Sequence, residues 1–429
     1  MSLLQNCGMS AAAFNRYSFA RALRAGDSSR FGVDLKEDRD AEIARAIECA
    51  RDLTGLTDYV DVTVAGKSCV SYSEYPITLV LRSLANNIKY RTHVKMPSRQ
   101  DIVKGVIQSF KDATPMAAHR RDIKSFYESI PLDIIKDRLI GTATLSPSAT
   151  KALESFLDIH CHGQTHGVPR GLSISAVLAE VAMQEFDKQV KLHPSVYRYF
   201  RFSDDMLIFS YETDFDLDKF LNEILPSGLS LNKRKNEKII FRNRKKDKSY
   251  QSIEYLGYDF HVSEKIERDT PNPRQISVCI ADSKIKKMKS RIILSLKDFR
   301  KNPDPALLVD RIKFLTSNYS VRRTGINVIG PKRSVRSGIF FNYNLCKSAD
   351  IPEVPDYKKS LKHLDGFLNS IIFSPNSEFF AATSTKLSHL HKQMIKECSF
   401  LKGFEVPMMA KFKPQRIGAI KSAWAYARY

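Results

Sequence analysis

In the stretch VYRYFRFSDDMLIFSY (196–211), two apolar, aromatic-rich segments flank a short polar turn. Aromatic and β-branched side chains on both sides of such a turn predict a β-hairpin. The turn carries two adjacent carboxylates, Asp204 and Asp205. Most Asp pairs at hairpin turns only stabilise the turn. This pair alone is therefore a weak indication of a catalytic site, and its interpretation depends on the segments around it.

Another carboxylate interrupts an apolar segment upstream. Asp122 lies in HRRDIKSFYESIPL (119–132), where a predicted strand runs into a turn. Carboxylates at strand ends, close enough to share ions, are what two-metal nucleotidyl transfer requires, because Mg²⁺ prefers oxygen ligands. Two such ions, about 3.5–4 Å apart, activate the attacking hydroxyl and stabilise the leaving group. The three carboxylates are therefore candidates for this chemistry.

Charge is distributed unevenly along the 429 residues, which carry a net charge of +21. Residues 1–230 contain 28 basic and 29 acidic side chains, whereas residues 231–340 contain 27 and 11. A neutral half followed by a basic block indicates a chemical core beside a surface that binds phosphates. A solvated surface is the alternative explanation for short Lys runs such as RNRKKDK (242–248), a predicted hairpin tip, but it does not account for the whole block.

Composition narrows the class of protein. Hydrophobic residues make up 43% of the chain and charged residues 27%, which excludes disordered and collagen-like architectures. No run approaches the roughly 18–20 apolar residues of a membrane-spanning helix. The seven cysteines are scattered singly and form no CxxC pair, as is typical of a reducing cytoplasm.

The order of several short motifs in this chain resembles that of a known protein family. Five segments occur in the order of the palm motifs of reverse transcriptases, namely DIKSFYESI, GVPRGLSIS, FSDDMLIF, SLNKRKNEKIIF and YLGYDF. The last two of these segments are also predicted to be strands. Their spacing is similar to that of bacterial retron, group II intron and abortive-infection enzymes, and the short PRGLSISAVLAE form is most similar to the unknown-group and defence-associated reverse transcriptases.

The resemblance implies an α+β, right-hand polymerase fold, with fingers, a palm containing an antiparallel sheet, and a helical thumb. Helical regions are expected at both ends of the chain. The implied divisions are an N-terminal extension at 1–57, fingers at 58–118, palm at 119–262, thumb at 263–320 and a basic C-terminal region at 321–429.

By position in these motifs, the resemblance implies that Asp122 and Asp204 bind two Mg²⁺ ions, with Asp205 as a supporting catalytic acid. The carbonyl of Ile123 is implied as a further metal ligand. Tyr127, five residues after the first Asp, is implied to exclude a ribose 2′-OH and so to select deoxynucleotides. Core packing is the alternative role for this ring.

Arg170 marks a departure, because many relatives have Gln at its position. A guanidinium can still bind phosphate, so Arg170 and the adjacent Gly171 are expected at the nucleotide. The other implied roles are nucleotide binding by Arg91 and Lys95, general acid catalysis by Lys235, and primer support by Tyr255, Leu256 and Gly257. Lys235 is equally interpretable as a solvated lysine, and the basic residues of the fingers as template contacts.

These residues predict an RNA-directed DNA polymerase that uses dNTPs and Mg²⁺. The resemblance implies that a structured noncoding RNA serves as template and scaffold, that the product is DNA or an RNA–DNA hybrid, and that the setting is cytoplasmic antiphage defence without a membrane partner. Two alternatives remain open: template-independent or protein-primed DNA synthesis, and a non-catalytic RNA-binding scaffold. The three intact carboxylates argue against the scaffold.

Overall fold

The computed structural model describes residues 13–24, 27–64, 66–115, 117–241, 250–267, 271–322, 334–349, 354 and 356–424. The basic run 242–248, which the sequence predicts to be a hairpin tip, lies outside these ranges. The chain divides into two compact units. The first comprises the described residues within 13–102 and 117–238, and the second comprises those within 103–115, 239–322 and 334–424.

Helices supply most of the described elements. The α-helices are α1 (Arg16–Ala22), α2 (Asp27–Phe31), α3 (Arg39–Asp52), α4 (Tyr75–Arg91), α5 (Arg99–Lys111), α6 (Leu132–Lys136), α7 (Pro147–Cys161), α8 (Ser173–Leu192), α9 (Leu217–Ile224), α10 (Asp282–Lys301), α11 (Pro305–Thr316), α12 (Ile339–Tyr343), α13 (Tyr357–Phe373), α14 (Phe380–Lys386), α15 (His389–Lys396), α16 (Phe400–Glu405) and α17 (Pro414–Ser422). Short 3₁₀ or π turns span Phe126–Ser129, Asp137–Gly141 and Lys233–Lys235.

The strands are short and form four sheets. They are β1 (Tyr59–Val64), β2 (Lys67–Tyr72), β3 (Ala117–Asp122), β4 (Val196–Phe202), β5 (Asp205–Ser210), β6 (Glu237–Ile240), β7 (Tyr250–Tyr255), β8 (Tyr258–Ile266), β9 (Arg274–Ile280), β10 (Asn318–Arg322), β11 (Ser334–Gly338) and β12 (Met409–Ala410). The sheet orders are β1-β2, β4-β5-β3-β6, β7-β8-β9 and β11-β10-β12.

In the first unit, the sheet of order β4-β5-β3-β6 carries the predicted hairpin. Strands β4 and β3 both pair antiparallel with β5, which is buried along nearly its whole length. The apolar face of the long helix α8 packs against β4 and α4. The hairpin and the strand that ends at Asp122 are both present, as the sequence predicts, and the structure places them side by side in one sheet.

A buried ion pair ties α2 to α4 within the same unit. The Arg82 guanidinium donates to both carboxylate oxygens of Asp27, at 2.7 and 2.9 Å, and the Tyr75 hydroxyl donates to one of them. Burial of an unpaired charge would be costly, and here each charge is matched. The N-terminal helices are thereby fixed to the part of the chain that precedes β3.

The segment SLNKRKNEKIIF is less extended than the sequence predicts. Lys233–Lys235 form a 3₁₀ turn, and β6 begins only at Glu237. The reason is local, because the Asn232 side chain accepts a hydrogen bond from the Arg234 N–H at 3.3 Å and so caps the turn. Asn side chains compete with extended pairing in this way.

The second unit contains the antiparallel meander β7-β8-β9 and most of the C-terminal helices. Strand β10 pairs antiparallel with β11 and parallel with β12. Helices α10 and α11 contact each other, and α11 also contacts α15, α16 and α17.

The α+β class, with antiparallel sheets and helical regions towards both ends, is confirmed. The division into fingers, palm and thumb at the ranges given above stays a prediction. No helix among the described residues is both long enough and apolar enough to cross a membrane.

Candidate functional site

Strand register brings the three predicted carboxylates together. Asp122, the last residue of β3, is the antiparallel partner of Asp205, the first residue of β5. Side chains of directly opposed residues lie on the same face of a sheet, with Cβ atoms about 4.5–5.5 Å apart. Asp204 occupies the turn beside them, and its carbonyl accepts a hydrogen bond from the Ile123 N–H at 3.0 Å. The turn and the end of β3 are thus joined by backbone as well as by register.

The turn between β4 and β5 has a demanding backbone. It contains only Ser203 and Asp204, and Ser203 has a φ of 58°, a region that favours glycine. Arg201 stabilises it by donating to the Ser203 carbonyl at 3.0 Å. The same guanidinium binds Glu180 and Asp187 on α8, with its own side chain only 4% exposed. Arg201 therefore ties the turn to the long helix.

Asp205 is held by an arginine on the neighbouring strand. Arg120 donates to both of its carboxylate oxygens at 3.2 Å. Burial raises the pKa of Asp205, the Arg120 contact lowers it, and the nearby charges of Asp122 and Asp204 raise it again, so that the net direction is upward. Burial is therefore the main cause of the raised pKa of Asp205, and the two neighbouring carboxylates add to it; a cation beside them would favour the charged form.

Asp122 is 4% exposed and is fixed from the side opposite the hairpin. The Asn232 side-chain amide donates to Asp122 Oδ1 at 3.0 Å, and the Asn232 N–H donates to the Asp122 carbonyl at 2.7 Å. The short segment before β6 therefore positions this carboxylate. Its orientation is set by protein hydrogen bonds before any ligand is present.

Beyond Asp122, the chain turns through Tyr127 and meets the loop 167–171. The Val168 N–H donates to the Tyr127 carbonyl at 2.8 Å, and the Gly167 N–H donates to the Ile130 carbonyl at 2.8 Å. The Arg170 guanidinium lies 5.1 Å from the centre of the Tyr127 ring, within cation–π range. The Tyr127 ring, which is predicted to select the sugar, is thus covered by Arg170, the residue at which this chain differs from the Gln of many relatives.

The loop is also bonded to the hairpin of β1 and β2. The Val70 N–H donates to the Arg170 carbonyl at 2.7 Å. Gly171 has a φ of 96°, and a Cβ at this residue would lie 2.6 Å from the Val70 carbonyl oxygen. Only glycine allows the two backbones to approach this closely.

Two of the predicted nucleotide contacts lie elsewhere in the first unit. Arg91 is the last residue of α4 and is exposed. Lys95 lines a cleft of about 420 Å³ together with Glu180, Asp187 and neighbouring residues of α8. Asp122, Asp204 and Asp205 do not line this cleft. The structure brings Tyr127 and Arg170 together, but it provides no contact that joins Arg91 or Lys95 to them.

The remaining predicted residues are placed as follows. Lys235 ends the 3₁₀ turn after Asn232, and its side chain is outside the part of the chain that the structure describes. Tyr255 is fully buried in the second unit at the end of β7. Leu256 and Gly257 form the two-residue turn to β8 with φ of 49° and 78°, the signature of a type I′ hairpin turn. Their role at a primer stays a prediction.

Comparison with known proteins identifies the region around these carboxylates. Residues 81–260 match the family model described as reverse transcriptase (RNA-dependent DNA polymerase). The chain contains a reverse transcriptase domain. The match includes all three carboxylates, the loop 167–171 and the turn after β7. A search of the curated proteins finds no match.

Among solved structures, similarity extends to telomerases. One is telomerase from Candida albicans in complex with a TWJ fragment of telomeric RNA, at 12% identity and a TM-score of 0.36. Another is apo telomerase from Candida tropicalis, at 13% identity and a TM-score of 0.30. Each alignment covers 92% of this chain and 58% of the telomerase chain, so this chain spans little more than half the length of those proteins.

The donor set of the reverse transcriptase domain fits Mg²⁺ in chemical type. No group of three or more His, Cys, Asp or Glu side chains within the described ranges is arranged to hold a metal ion by itself. Mg²⁺ at nucleotide sites uses one or two carboxylates and takes its other ligands from water and phosphate. Asp122 and Asp204 meet that requirement, and Asp204 makes no side-chain hydrogen bond to another described residue.

Sequence reasoning missed four residues that position the candidate site: Arg120, Glu128, Arg201 and Asn232. Each acts across a long stretch of chain, with separations of 85 residues for Arg120 and Asp205 and 110 for Asn232 and Asp122. The only signal in the sequence was an arginine two residues away from a carboxylate on a predicted strand, as with Arg120 and Asp122. Such a signal does not identify the partner.

Proposed function

We propose that the chain is an RNA-directed DNA polymerase that adds dNTPs to a nucleic-acid 3′ end. The observation that carries this proposal is the cross-strand pair of Asp122 and Asp205, with Asp204 in the adjoining turn. Three carboxylates at one end of an antiparallel sheet supply a dense negative charge, and their positions are fixed by Arg120, Arg201 and Asn232. This is the arrangement that positioning and electrostatic catalysis of phosphoryl transfer require.

In the proposed mechanism, Asp122 and Asp204 would hold two Mg²⁺ ions, with the Ile123 carbonyl as a further ligand. When bound, such ions activate the attacking 3′-OH and stabilise the departing pyrophosphate. Arg120 holds the Asp205 carboxylate in place, so that Asp205 adds negative charge to the site without displacing Asp122 or Asp204 from the ions. Tyr127 blocks a ribose 2′-OH, and Lys235 protonates the leaving group. The turn Tyr255–Gly257 supports the primer end.

We further propose that the template is a dedicated structured noncoding RNA, and that the setting is bacterial antiphage defence. Two things support this: the resemblance to defence-associated reverse transcriptases and the basic block at residues 231–340, with 27 basic and 11 acidic side chains. A block with this excess of basic side chains favours a long polyanion as partner. The proposed product is DNA, held initially as an RNA–DNA hybrid.

The test is to purify the protein with its bound nucleic acid, add Mg²⁺ and labelled dNTPs, and sequence both the RNA and the product. DNA complementary to one enriched RNA is the expected result. DNA with no complementary template, or DNA linked covalently to the protein, would contradict the templated mechanism. RNA binding without synthesis would instead favour a scaffold.

A further inference from the structure

The cleft of about 420 Å³ in the first unit follows the C-terminal half of α8. Its walls come from residues 180–192 of this helix and from residues 93–95, which follow α4. Pockets of roughly 300–1,000 Å³ accommodate small ligands, so the cleft has room for one nucleotide unit. The three carboxylates of the candidate site do not line it, and it is therefore a separate place for a ligand.

Both acidic side chains that line the cleft are already paired within the protein. Arg201 binds Glu180 and Asp187, with a nitrogen–oxygen distance of 2.6 Å to each. The Tyr199 hydroxyl also donates to Asp187, at 2.8 Å. Because the Arg201 side chain is only 4% exposed, it neutralises these carboxylates without being available to a ligand. The acidic wall therefore opposes an anion far less than two free carboxylates would.

The other charged side chains of the cleft are lysines. Lys95, Lys188 and Lys191 line it, and all three residues are exposed. Among the described residues, no ion pair includes any of these lysines. Lys191 Nζ lies 5.8 Å from the centre of the Tyr199 ring, a contact that leaves its charge uncancelled. Three positive charges thus meet at a space whose negative charges are paired elsewhere.

The two lysines of α8 share one face of the helix. Lys188 and Lys191 are three residues apart, and Gln184 precedes Lys188 by four, so the three side chains form one stripe. Leu192, which also lines the cleft, is 71% exposed and offers apolar surface beside these charges. A positively charged groove that follows the backbone is a feature of single-stranded nucleic-acid sites.

The loop that carries Lys95 is held against α8. The Gln184 side-chain amide donates to the Thr92 carbonyl at 2.9 Å. His93 has a φ of 54°, a region that few residues other than glycine occupy, and Val94 is 5% exposed. Lys95 therefore extends from a fixed backbone, which lowers the ordering cost of binding.

We propose that this cleft binds one nucleotide unit of a single-stranded nucleic acid, with Lys95, Lys188 and Lys191 contacting its phosphates. Lysine is a compact point charge, which suits contacts with a backbone of any sequence. The inference rests on the proposed function only in taking RNA as the strand. In this assignment Lys95 contacts the strand rather than an incoming dNTP.

The test is amine footprinting of the wild-type, full-length protein, read by mass spectrometry. A lysine-acylating reagent is applied with and without a short single-stranded oligouridylate, in the absence of Mg²⁺ and dNTPs. We expect the RNA to lower the reactivity of Lys95, Lys188 and Lys191 severalfold. Lys136 and Lys151, exposed lysines of α6 and α7, should react equally in both samples. Unchanged reactivity of all five lysines while the RNA is bound would overturn the proposal.

A pair of variants measures the contribution of the charges. Lys188→Gln/Lys191→Gln is compared with Lys136→Gln/Lys151→Gln, which removes the same charge from exposed helical positions. The log–log dependence of RNA affinity on salt should become shallower by about 1.4 in the first variant, since each phosphate contact on a single strand contributes about 0.7. The control should keep the wild-type slope. Equal slopes in the two variants would contradict the phosphate contacts.

A further probe identifies the source of the phosphate. Uridine 5′-monophosphate, at the same nucleotide concentration as the RNA, should not protect the three lysines. Equal protection by the monophosphate would overturn the strand assignment in favour of a free nucleotide. Failure of the wild type to bind any RNA would contradict the RNA partner of the proposed function as well, whereas RNA binding without protection contradicts the cleft assignment alone.

Discussion

Arg170 binds Glu128 with two hydrogen bonds, from Nε to Oε1 at 2.5 Å and from Nη2 to Oε2 at 2.7 Å, while its guanidinium lies over the Tyr127 ring. The contact lowers the pKa of Glu128 and raises that of Arg170. A guanidinium that the sequence predicts to bind phosphate is thus engaged by a neighbouring carboxylate. Its position indicates that it holds the Tyr127 ring in place.

We predict that this pair contributes to the discrimination between dNTPs and rNTPs. Arg170→Gln and Glu128→Gln should each lower the ratio of kcat/KM for the two substrates by up to about fivefold, since half-exposed ion pairs contribute about 0.2–1 kcal/mol. The double variant should lose no more than either single variant. The half-exposed pair of Arg138 and Glu185 supplies the control, Arg138→Gln. Unchanged discrimination in both single variants would contradict the role.

Arg201 should be important for stability, because its removal strands two carboxylates of α8. We expect Arg201→Met to lower the free energy of unfolding by about 3–5 kcal/mol, as when one partner of a buried ion pair is removed. Arg198→Met, on the exposed face of the same strand, should change it by less than about 0.5 kcal/mol. Denaturant unfolding measures both variants. Equal losses of unfolding free energy in the two variants would show that Arg201 contributes no more to stability than an exposed arginine of the same strand.

Gly171 should tolerate no side chain, because two costs add there. Gly171→Ala combines an unfavourable φ with a contact of 2.6 Å to the Val70 carbonyl oxygen. Gly163→Ala has a φ of 70° but meets nothing within 4 Å, so it isolates the backbone cost of about 1 kcal/mol. Gly171→Ala should destabilise the protein clearly more, as followed by thermal unfolding. A matching loss in the two variants would refute the close approach.

The protein should become less stable as the pH is lowered, because His119 in β3 is protonated more readily in the unfolded chain than in the folded one. Burial lowers its pKa to about 3, with further lowering by Arg121 and Lys238 and an opposing effect of Asp218. An unfolded His titrates near 6.5, so between these values only the unfolded state binds the proton. The contribution is complete above pH 6.5 and is lost progressively as the pH falls through that window.

The matching variant is His119→Leu, studied by denaturant unfolding from pH 7 to pH 5. Its free energy of unfolding should depend less on pH than that of the wild type, by at most about 1.36 kcal/mol per pH unit. The loss of the contact to Ser210, at 3.1 Å, lowers stability at every pH and so leaves this difference in slope intact. Identical slopes would show that His119 does not titrate on unfolding.

Local pattern was sufficient for much of the fold. The turn residues and aromatic alternation around Asp204 predicted the hairpin, and the strand before Asp122 was predicted in the same way. Pattern failed at Lys233–Lys235, where the Asn232 side chain captures a backbone N–H and delays the strand. Periodicity does not register such a cap, because a single hydrogen bond decides it.

The residues that position the site could not be predicted for a different reason. Glu128 and Arg170 are 42 residues apart, and Arg201 reaches Glu180 across 21 residues. Which charges meet depends on how α8 and the loop 167–171 pack, and no local spacing encodes that packing. The motifs indicated the residue types of the chemistry, whereas the supporting ion pairs required the folded chain.

The most direct test of the central claim is primer extension by the purified protein on an RNA template, with Mg²⁺ and dNTPs. Wild type should extend the primer with the complementary sequence. Asp204→Asn should reduce the rate by about a hundredfold to a thousandfold, because loss of a preorganised charge at the reacting centre costs about 2.7–4 kcal/mol. Asp214→Asn, in the loop after β5, should extend normally. Equal extension by wild type and Asp204→Asn would contradict the assignment of this carboxylate.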